Sequence, residues 1–587
     1  MKKVKVYIDS REIEVSPNIT ILEAAKEAGI KIPTLCYHKD LFPSGSCGMC
    51  IVDIDGQGIK RSCITAVKDG MKIKTITPEI LETRKTILEL VLSSHPKDCL
   101  TCIKHGNCEL QQLAEMLSVR EMPYEWYDRG LPIDKNSKGI VRDMNKCIGC
   151  GRCVTVCQEV QTVKAIDFHG RGADTIVAPP LGMGMEESVC VNCGQCIVYC
   201  PVGALYEKEA IDYVWEALKD KEKEVVVQIA PAVRVTLGEE FGMKPGELVV
   251  GKIYTAMHML GFDKVFDTNF SADLTILEEG TEFLTRLEKG GPLPLITSCS
   301  PGWIKFSETY FDELLENVST CKSPQQMLGA LIKTYYAKEN KKDPSKIVSV
   351  SVMPCTAKKF EASRPEMNAS GYRDVDYVLT TREIARMIRE AGIDFKNLPE
   401  SKPDPLLSSY TGAGTIFGAT GGVMEAALRT AIEVKTGKTL PRLDFTDVRG
   451  IKGIKEATLN VDGITLKVAV AHGLSNAREL LDKVKEAKKR GEVLYHFIEI
   501  MACPGGCIGG GGQPLPTDWD KKKERIEGLY NEDKSLPLRK SHENPEVKMI
   551  YEKFLGKPNS HKSHELLHTH YTKRDAYKIE KKIWPTE

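Results

Sequence analysis

Two runs of cysteines carry the clearest chemical signal in this 587-residue chain. They are CIGCGRCVTVC (147–157) and CVNCGQCIVYCP (190–201), and each spaces its thiols as C-x2-C-x2-C-x3-C. This spacing is typical of proteins with two 4Fe–4S clusters, in which the fourth cysteine of each run binds the other cluster. The spacing therefore predicts one cluster on Cys147, Cys150, Cys153 and Cys200 and another on Cys190, Cys193, Cys196 and Cys157.

A more widely spaced set of thiols lies nearer the N-terminus: Cys36, Cys47, Cys50 and Cys63. These cysteines follow a segment (5–30) whose pattern predicts a β-hairpin and then a helix. The arrangement resembles a plant-type ferredoxin domain with a 2Fe–2S cluster, at the wider spacing of complex-associated ferredoxin domains. A structural zinc site is the alternative, but such sites usually have two close CxxC pairs.

Between these groups lies a set of mixed ligands: His95, Cys99, Cys102 and Cys108. One imidazole and three thiols suit zinc as well as a 4Fe–4S cluster, so the residues alone leave both open. The order of the modules resembles the N-terminal region shared by respiratory NADH-oxidising complexes and diiron hydrogenases. That resemblance implies a 4Fe–4S cluster at this site.

The bulk composition excludes several other classes of protein. Lysine plus arginine equals aspartate plus glutamate at 81 each, so no global charge attracts nucleic acid or an anionic membrane. The N-terminus lacks the apolar core of a secretory signal, and no run of about 18 apolar residues predicts a membrane span. We expect a soluble, cytoplasmic protein whose 20 cysteines bind metal rather than form disulfides.

The second part of the chain, 211–587, contains only five cysteines and has the pattern of a large α/β domain. Short β-branched runs predict strands at 224–231, 346–355 and 466–473. An amphipathic helix is predicted at 381–392, and a Gly-rich segment, 410–433, is predicted to run from loop into helix. The Lys- and His-rich C-terminus predicts a helical tail.

Three segments of this second part resemble the signatures of the diiron, or iron-only, hydrogenases: TSCSPGW (297–303), MPCTAKKFE (353–361) and EIMACPGGCIGGGGQP (499–514). The resemblance covers about residues 1–555 and extends to the large clostridial-type enzymes with several clusters. It implies a multidomain α+β and α/β protein with these units: a 2Fe–2S domain (1–78), a 4Fe–4S domain with one histidine and three cysteine ligands (79–125), a domain with two 4Fe–4S clusters (126–210), a catalytic domain (211–525) and a helical tail that wraps it (526–587).

The resemblance implies an active-site H-cluster, which is a 4Fe–4S cubane joined to a two-iron unit with CO, cyanide and a bridging azadithiolate. Cys355, Cys503 and Cys507 would hold the cubane, Cys507 would bridge to the two-iron unit, and Lys358 would donate to a cyanide. The residues implied to line the pocket are Ala230, Pro231, Ser323, Gln325, Met353, Phe417 and Met501.

The resemblance also implies a proton path through Cys299, Glu279, Ser319, Glu282 and Arg286. Buried carboxylates can relay protons because desolvation raises their pKa toward neutrality. By sequence pattern alone, the stretch TILEEGTEF would be a solvated helix face. Only the resemblance favours the relay.

Ser300 departs from the commonest form of the family pattern, in which a second cysteine at this position binds the cubane. Three interpretations are open: Ser300 binds the cubane as an alkoxide, Cys299 binds it instead, or the cubane is incompletely held and labile. We favour a role for Cys299 at the site. Cys321 has no partner motif and is predicted to be a buried structural thiol.

The predicted activity is the reversible oxidation and production of dihydrogen, with electrons relayed through four accessory clusters. The redox partner is predicted to be ferredoxin or a flavin-containing, NAD(P)H-linked subunit, since GAGTIFGATGG (412–422) lacks the G-x-G-x-x-G nucleotide fingerprint. Maturation proteins would install the two-iron unit. A hydrogen sensor or a non-catalytic iron–sulfur protein of the same fold is the alternative.

Overall fold

The computed structural model describes residues 3–440, 442–461 and 464–577 of the chain. Residues 578–587 of the predicted tail lie outside the described residues. Within the described ranges, no helix is both long and apolar enough to cross a membrane.

The N-terminal region folds as a five-stranded sheet with one helix, in the strand order β2-β1-β5-β3-β4. The hairpin and helix predicted for 5–30 are confirmed: β1 pairs antiparallel with β2, and the Thr20 hydroxyl accepts a hydrogen bond from the main-chain N–H of Glu23 at the start of α1. The elements are β1 (Val4–Ile8), β2 (Arg11–Val15), α1 (Ile21–Glu27), β3 (Ile51–Ile54), β4 (Gly58–Arg61) and β5 (Lys72–Lys74).

The region from 78 to 210 is built from short elements joined by long loops that carry the cysteines. Two small antiparallel ribbons, β6 with β9 and β7 with β8, organise its second half. The elements are α2 (Pro78–Ser93), α3 (Glu109–Met116), β6 (Ile140–Arg142), α4 (Arg152–Thr155), β7 (Asp167–His169), β8 (Ile176–Ala178), α5 (Gln195–Tyr199) and β9 (Leu205–Glu207). The buried apolar residues of this region belong to one cluster with residues between 296 and 502, such as Trp303 and Ile498, so the loops that carry the cysteines are packed against that part of the chain.

The large region contains two four-stranded sheets whose strands are mostly parallel. The first has the order β11-β10-β13-β14 and the second β12-β17-β16-β15, in which only the β15–β16 pair is antiparallel. Their strands are β10 (Glu224–Ile229), β11 (Lys264–Asp267), β12 (Leu295–Ile296), β13 (Ile347–Met353), β14 (Tyr377–Thr380), β15 (Ile454–Val461), β16 (Ile464–His472) and β17 (Phe497–Met501). Predicted strands 224–231, 346–355 and 466–473 coincide with β10, β13 and β16.

Helices cover the two sheets, and the longest of them, α8, is buried along most of its length. The helix predicted at 381–392 is α13. The helices are α6 (Ile211–Lys219), α7 (Val250–Leu260), α8 (Thr268–Lys289), α9 (Pro301–Tyr310), α10 (Pro324–Leu331), α11 (Ala337–Glu339), α12 (Ala357–Ala362), α13 (Thr381–Glu390), α14 (Gly412–Thr415), α15 (Gly422–Thr436), α16 (Leu474–Lys489), α17 (Trp519–Ser535), α18 (Pro545–Ile550) and α19 (His561–Leu567).

The C-terminal segment packs on the large region from its first turn. Helix α17 runs through the boundary predicted between 525 and 526, and its buried Asp533 is paired with Arg429 of α15 at 2.8 Å. Beyond α19, the main-chain N–H of Thr569 donates to the carbonyl oxygen of Thr320 at 2.7 Å. The tail therefore lies against α8 and against the loop that follows residue 317.

Candidate active site

The carboxyl ends of four parallel strands, β10 and β13 of one sheet and β12 and β17 of the other, lead to one buried cavity, the candidate active-site cavity. Loops after parallel strands meet at the same edge of a sheet, which is where α/β proteins place their ligands. The cavity walls include most of the residues predicted for the active site: Cys299, Ser300, Cys355, Lys358, Cys503, Cys507, Ala230, Pro231, Gln325, Met353, Phe417 and Met501.

Three thiols from two distant segments face this cavity. A hydrogen bond between the Cys355 and Cys503 thiols lowers the pKa of Cys355 and raises that of Cys503, while burial raises the pKa of Cys507 to about 12. Buried thiols with raised pKa values gain greatly from a soft metal that takes their protons. Around them, the backbone is packed too closely for a side chain, since a Cβ on Gly510 would lie 2.2 Å from the Pro354 carbonyl oxygen. These features fit an inorganic cluster.

Cys299 and Ser300 both line the cavity, at the start of α9. The Ser300 hydroxyl oxygen accepts a hydrogen bond from the main-chain N–H of Ala502, at 3.2 Å. Burial raises the pKa of the Cys299 thiol well above its ordinary value. The fold therefore offers two adjacent donors, one oxygen and one sulfur, as the fourth ligand of a cubane.

Lys358 projects into the cavity from α12 and is held by a buried carboxylate. Its Nζ lies 2.9 Å from Glu361, and the same carboxylate accepts hydrogen bonds from Ser323 Oγ at 2.8 Å and Gln325 Nε2 at 3.0 Å. Ser323, predicted as a pocket residue, is therefore not part of the lining, but it fixes the group that positions Lys358. A fixed ammonium in an apolar wall is suited to an anionic ligand such as cyanide.

The residues predicted for proton transfer extend along α8 from the cavity toward the surface. Glu279 and Glu282 are only 2% and 9% exposed, so this stretch is not a solvated helix face. Glu282 accepts from Ser319 Oγ at 2.9 Å and from Arg286 Nη2 at 2.6 Å. Burial, reinforced by the charge of Glu282, raises the pKa of Glu279 to about 8. A carboxyl group with this pKa can give and take protons near neutral pH.

The four N-terminal cysteines come together as two pairs, Cys36 with Cys47 and Cys50 with Cys63. A hydrogen bond from Cys47 lowers the pKa of Cys36 to about 4, and one from Cys63 lowers the pKa of Cys50 to about 6. The Ser46 hydroxyl in the same loop donates to the Cys150 carbonyl oxygen at 3.4 Å. This set fits a 2Fe–2S cluster in contact with the first cysteine run.

A second, open cavity is lined by His95, Cys99, Cys102 and Cys108. Burial lowers the pKa of His95, and its Nδ1 has no hydrogen-bond partner among the described residues. A neutral imidazole with a free lone pair is the form that binds metal. A Cβ on Gly203 would lie 2.7 Å from Cys102 Sγ, so this site touches the end of the second cysteine run.

The two long cysteine runs lie between these outer sites and the candidate active-site cavity. Burial raises the pKa of Cys150 to about 12 and of Cys157 to about 11, because desolvation disfavours the thiolate. The second run packs on the segment that carries Cys507 of the candidate active-site cavity. There, a Cβ on Gly511 would meet the Cys193 carbonyl oxygen at 2.5 Å. Gln195 Nε2 also donates to the Gly509 carbonyl oxygen at 2.9 Å.

Sequence reasoning missed two buried carboxylates that hold the site together. Glu361 anchors Lys358, and Glu499 accepts hydrogen bonds from the main-chain N–H groups of Gly421 and Met424, each at 2.7 Å, at the start of α15. Both are the acidic members of the signature segments MPCTAKKFE and EIMACPGGC, and this was the only available signal for them.

Family models match five stretches of the chain in sequence order. Residues 1–78 match a 2Fe-2S iron-sulfur cluster binding domain, 84–123 the iron-sulfur binding region of NADH-ubiquinone oxidoreductase-G, and 146–204 a 4Fe-4S dicluster domain. Residues 223–511 match the C-terminal domain of the iron only hydrogenase large subunit, and 520–574 the iron hydrogenase small subunit.

Two curated relatives match along nearly their whole length. The NADP-reducing hydrogenase subunit HndD of Solidesulfovibrio fructosivorans is 51% identical, covering 98% of this chain and 100% of the relative. Iron hydrogenase 1 of Clostridium pasteurianum is 43% identical, covering 97% and 100%. The solved [FeFe]-hydrogenase HydA1 from Chlamydomonas reinhardtii is 44% identical, with a TM-score of 0.55 over 62% of this chain and 99% of that one. The chain therefore belongs to the iron-only hydrogenases and is an iron hydrogenase with iron–sulfur clusters.

Proposed function

We propose that the protein interconverts dihydrogen with two protons and two electrons at the candidate active-site cavity. The convergence of Cys355, Cys503, Cys507 and Lys358 on one buried space is the observation that carries this proposal. The three thiols would hold the cubane of an H-cluster, with Cys507 shared with the two-iron unit. When bound, that unit supplies the open metal position at which dihydrogen reacts.

The chain's own residues would surround that unit and exclude water from it. Pro231, Met353, Phe417 and Met501 give the cavity an apolar wall, and Gln325 contributes one of its few polar groups. Such a wall strengthens the interaction of the Lys358 ammonium with an anionic ligand, because little solvent screens it. Few protein bonds would hold the two-iron unit, so these contacts set its orientation.

Electrons would reach the cavity through a relay of four accessory clusters: one 2Fe–2S and three 4Fe–4S. The contacts of Ser46 with Cys150, of Gly203 with Cys102 and of Gly511 with Cys193 support this order. They connect both outer sites to the two-cluster region and that region to the cavity. The 2Fe–2S site and the open site with His95 would be the two points of exchange with a partner.

Protons would move between the cavity and the surface through Cys299, Glu279, Ser319 and Glu282, with Arg286 at the outer end. The burial of both carboxylates and the hydrogen bonds of Glu282 support this assignment. The raised pKa of Glu279 means that the group can be protonated or ionised without a large free-energy cost near pH 8.

The relative named as a subunit of an NADP-reducing hydrogenase supports a complex with further subunits. A flavin-containing, NAD(P)H-linked subunit, ferredoxin, or both would exchange electrons with the relay, and maturation proteins would supply the two-iron unit. The expected cytoplasmic location suits such soluble partners.

A hydrogen sensor remains the second candidate, because Ser300 stands where a cysteine ligand is expected and would make a weaker bond to the cubane. Infrared spectroscopy of anaerobically matured protein separates the two. CO and cyanide bands together with hydrogen uptake support the enzyme, and bands without turnover support the sensor. Matured protein with no such bands contradicts both.

A further inference from the structure

A histidine of the C-terminal tail lies beside the outer end of the proposed proton path. His568 follows α19, forms an antiparallel bridge with Cys321 and is 8% exposed. The bridge lies one residue beyond Thr320, which follows Ser319 of the path. The tail therefore inserts an ionisable side chain where the path meets the surface.

Both ring nitrogens of His568 have hydrogen-bond partners. Nδ1 lies 2.8 Å from the hydroxyl of Thr320, and Nε2 lies 3.1 Å from a carboxylate oxygen of Glu278 on α8. An imidazole bonded at both nitrogens can accept a proton at one and release a proton at the other, so its charge is restored after each passage.

Thr320 connects this histidine to Glu282. The main-chain N–H of Thr320 donates to the Glu282 carboxylate, at 3.2 Å to the nearer oxygen, while its hydroxyl faces His568. A carboxylate oxygen of Glu282, the Cys321 sulfur and a ring nitrogen of His568 lie within 4.8 Å of one another. One water molecule can bridge gaps of this size.

A second histidine, His564, lies between His568 and solvent. The rings of His564 and His568 have centroids 4.1 Å apart, and His564 is exposed on α19. Exposed histidines exchange protons with bulk water near neutral pH, so this pair provides a place where protons can be collected or released.

We propose that His568 is a proton relay at the surface end of the path, passing protons between the exposed tail and Glu282 across a gap that one water molecule can bridge. For hydrogen production, one proton passes from water to His568, from His568 to Glu282 and then inward. For hydrogen uptake, the same proton moves outward. This inference rests on the proposed function.

The groups that face His568 come from α8, the loop after residue 317 and the tail, and one of them opposes a metal site. Glu278 holds it from α8, where Tyr551 also donates to that carboxylate at 2.6 Å, and the other neighbours are Glu282, Thr320, Cys321, His564 and the exposed His570. Glu282, Cys321 and His568 are also donors that suit a divalent cation. Arg286, 2.6 Å from Glu282, opposes a second cation there.

The test uses the matured holoenzyme and the variant His568→Gln, which keeps polar atoms but cannot be protonated. With excess chemical reductant, we expect hydrogen production to fall by about tenfold. The loss should grow from pH 6 to pH 8 as protons become scarce, and the solvent isotope effect should increase. Added imidazole should restore part of the rate in His568→Ala, and Thr320→Val, which removes the hydroxyl that holds Nδ1 of His568, should lower the rate less than His568→Gln. His561→Gln, on the exposed first residue of α19, is the matched control and should behave as wild type.

Two results would overturn the relay. One is a His568→Gln enzyme with the wild-type rate, pH profile and isotope effect. The other is a loss that is equal at every pH with an unchanged isotope effect, which would show a structural tether. The CO and cyanide bands of each variant show whether the cluster is intact. Wild-type protein without those bands or turnover would contradict the proposed function itself, which distinguishes the two failures.

Discussion

Lys358 Nζ donates a hydrogen bond to the main-chain carbonyl oxygen of Cys299 across 3.1 Å. Since Glu361 lies 2.9 Å from the same ammonium, one side chain joins the first signature segment to the second. The loop that carries Cys299 and Ser300 is thus fixed by the residue expected to contact the two-iron unit. The position of the loop and the binding of that unit should depend on each other.

Replacing Lys358 with methionine should remove the two-iron unit while leaving the cubane in place. The variant keeps the apolar stem but cannot donate to an anionic ligand, and the loss of such a supporting contact typically lowers metal affinity or activity by about 10- to 100-fold. Infrared bands of CO and cyanide, with iron content, measure the outcome.

Lys359→Met is the matched control for this prediction. Lys359 is on the same helix, is equally buried and pairs with Glu383 at 2.9 Å, away from the cavity. It should lower the melting temperature without loss of the infrared bands. If Lys358→Met retains full bands and activity, the ammonium does not hold the unit.

The sequence predicted Lys358 but not the residues that hold it. Glu361 is three residues further along the chain, and motif matching gave it no role because charge pairing depends on which groups the fold buries. Ser323 was expected at the cavity wall, but it does not line the cavity and instead donates a hydrogen bond to Glu361. Lining residues follow from a signature, whereas the second layer depends on tertiary packing.

The buried carboxyl of Glu279 should make stability depend on pH. Its pKa is raised to about 8 by burial, whereas an unfolded glutamate has a pKa near 4.3. Between about pH 4.3 and 8 the folded protein therefore holds a proton that the unfolded chain lacks, and stability falls as pH rises through this window. Glu279→Gln has no ionisable group there, so its melting temperature should fall less between pH 5 and pH 8.

The same variant should lose hydrogen turnover by about 10²- to 10⁴-fold, the usual contribution of a positioned proton donor. Glu486→Gln, at an exposed site on α16, is the control and should change neither property. An identical pH dependence of melting in Glu279→Gln and wild type would show that Glu279 is ionised in the folded protein.

Only the fold decides whether Glu279 and Glu282 face water or protein. In the sequence they belong to a polar stretch that a surface helix would also show. The structure buries α8 on several sides because both sheets and the C-terminal tail pack around it, and no local pattern encodes that. In contrast, the hairpin at the N-terminus and the strands β10, β13 and β16 follow from local periodicity and were predicted correctly.

The fourth ligand of the cubane can be assigned with variants at Cys299 and Ser300. If Ser300 binds as an alkoxide, Ser300→Ala should lose cubane iron and Ser300→Cys should retain it better than wild type, because a thiolate is the softer ligand. If Cys299 is the ligand, Cys299→Ala should lose cubane iron and Ser300→Ala should not. Iron analysis and electron paramagnetic resonance of protein without the two-iron unit give the answer independently of turnover.

The open site with His95 should be sensitive to a single methyl group. A Cβ at position 203 would lie 2.7 Å from Cys102 Sγ, so Gly203→Ala must displace that ligand. We expect loss of one accessory 4Fe–4S cluster, with the cubane and the 2Fe–2S cluster retained. Gly280→Ala, on α8, where a Cβ has open space and the backbone is helical, is a control outside the accessory-cluster sites. An unchanged cluster inventory in Gly203→Ala would show that Cys102 is not a ligand.

Glu499 should stabilise the cavity through the start of α15. Its two carboxylate oxygens accept from the N–H groups of Gly421 and Met424, and the strand β17 that carries it leads directly to Met501 and Cys503. In Glu499→Gln only one oxygen can accept, so one buried N–H loses its partner at a cost of about 1–3 kcal/mol. The urea midpoint should fall, whereas Glu479→Gln, exposed on α16, should leave it unchanged. If Glu499→Gln unfolds at the wild-type midpoint, these hydrogen bonds contribute no net stability, and the position of α15 must come from its packing alone.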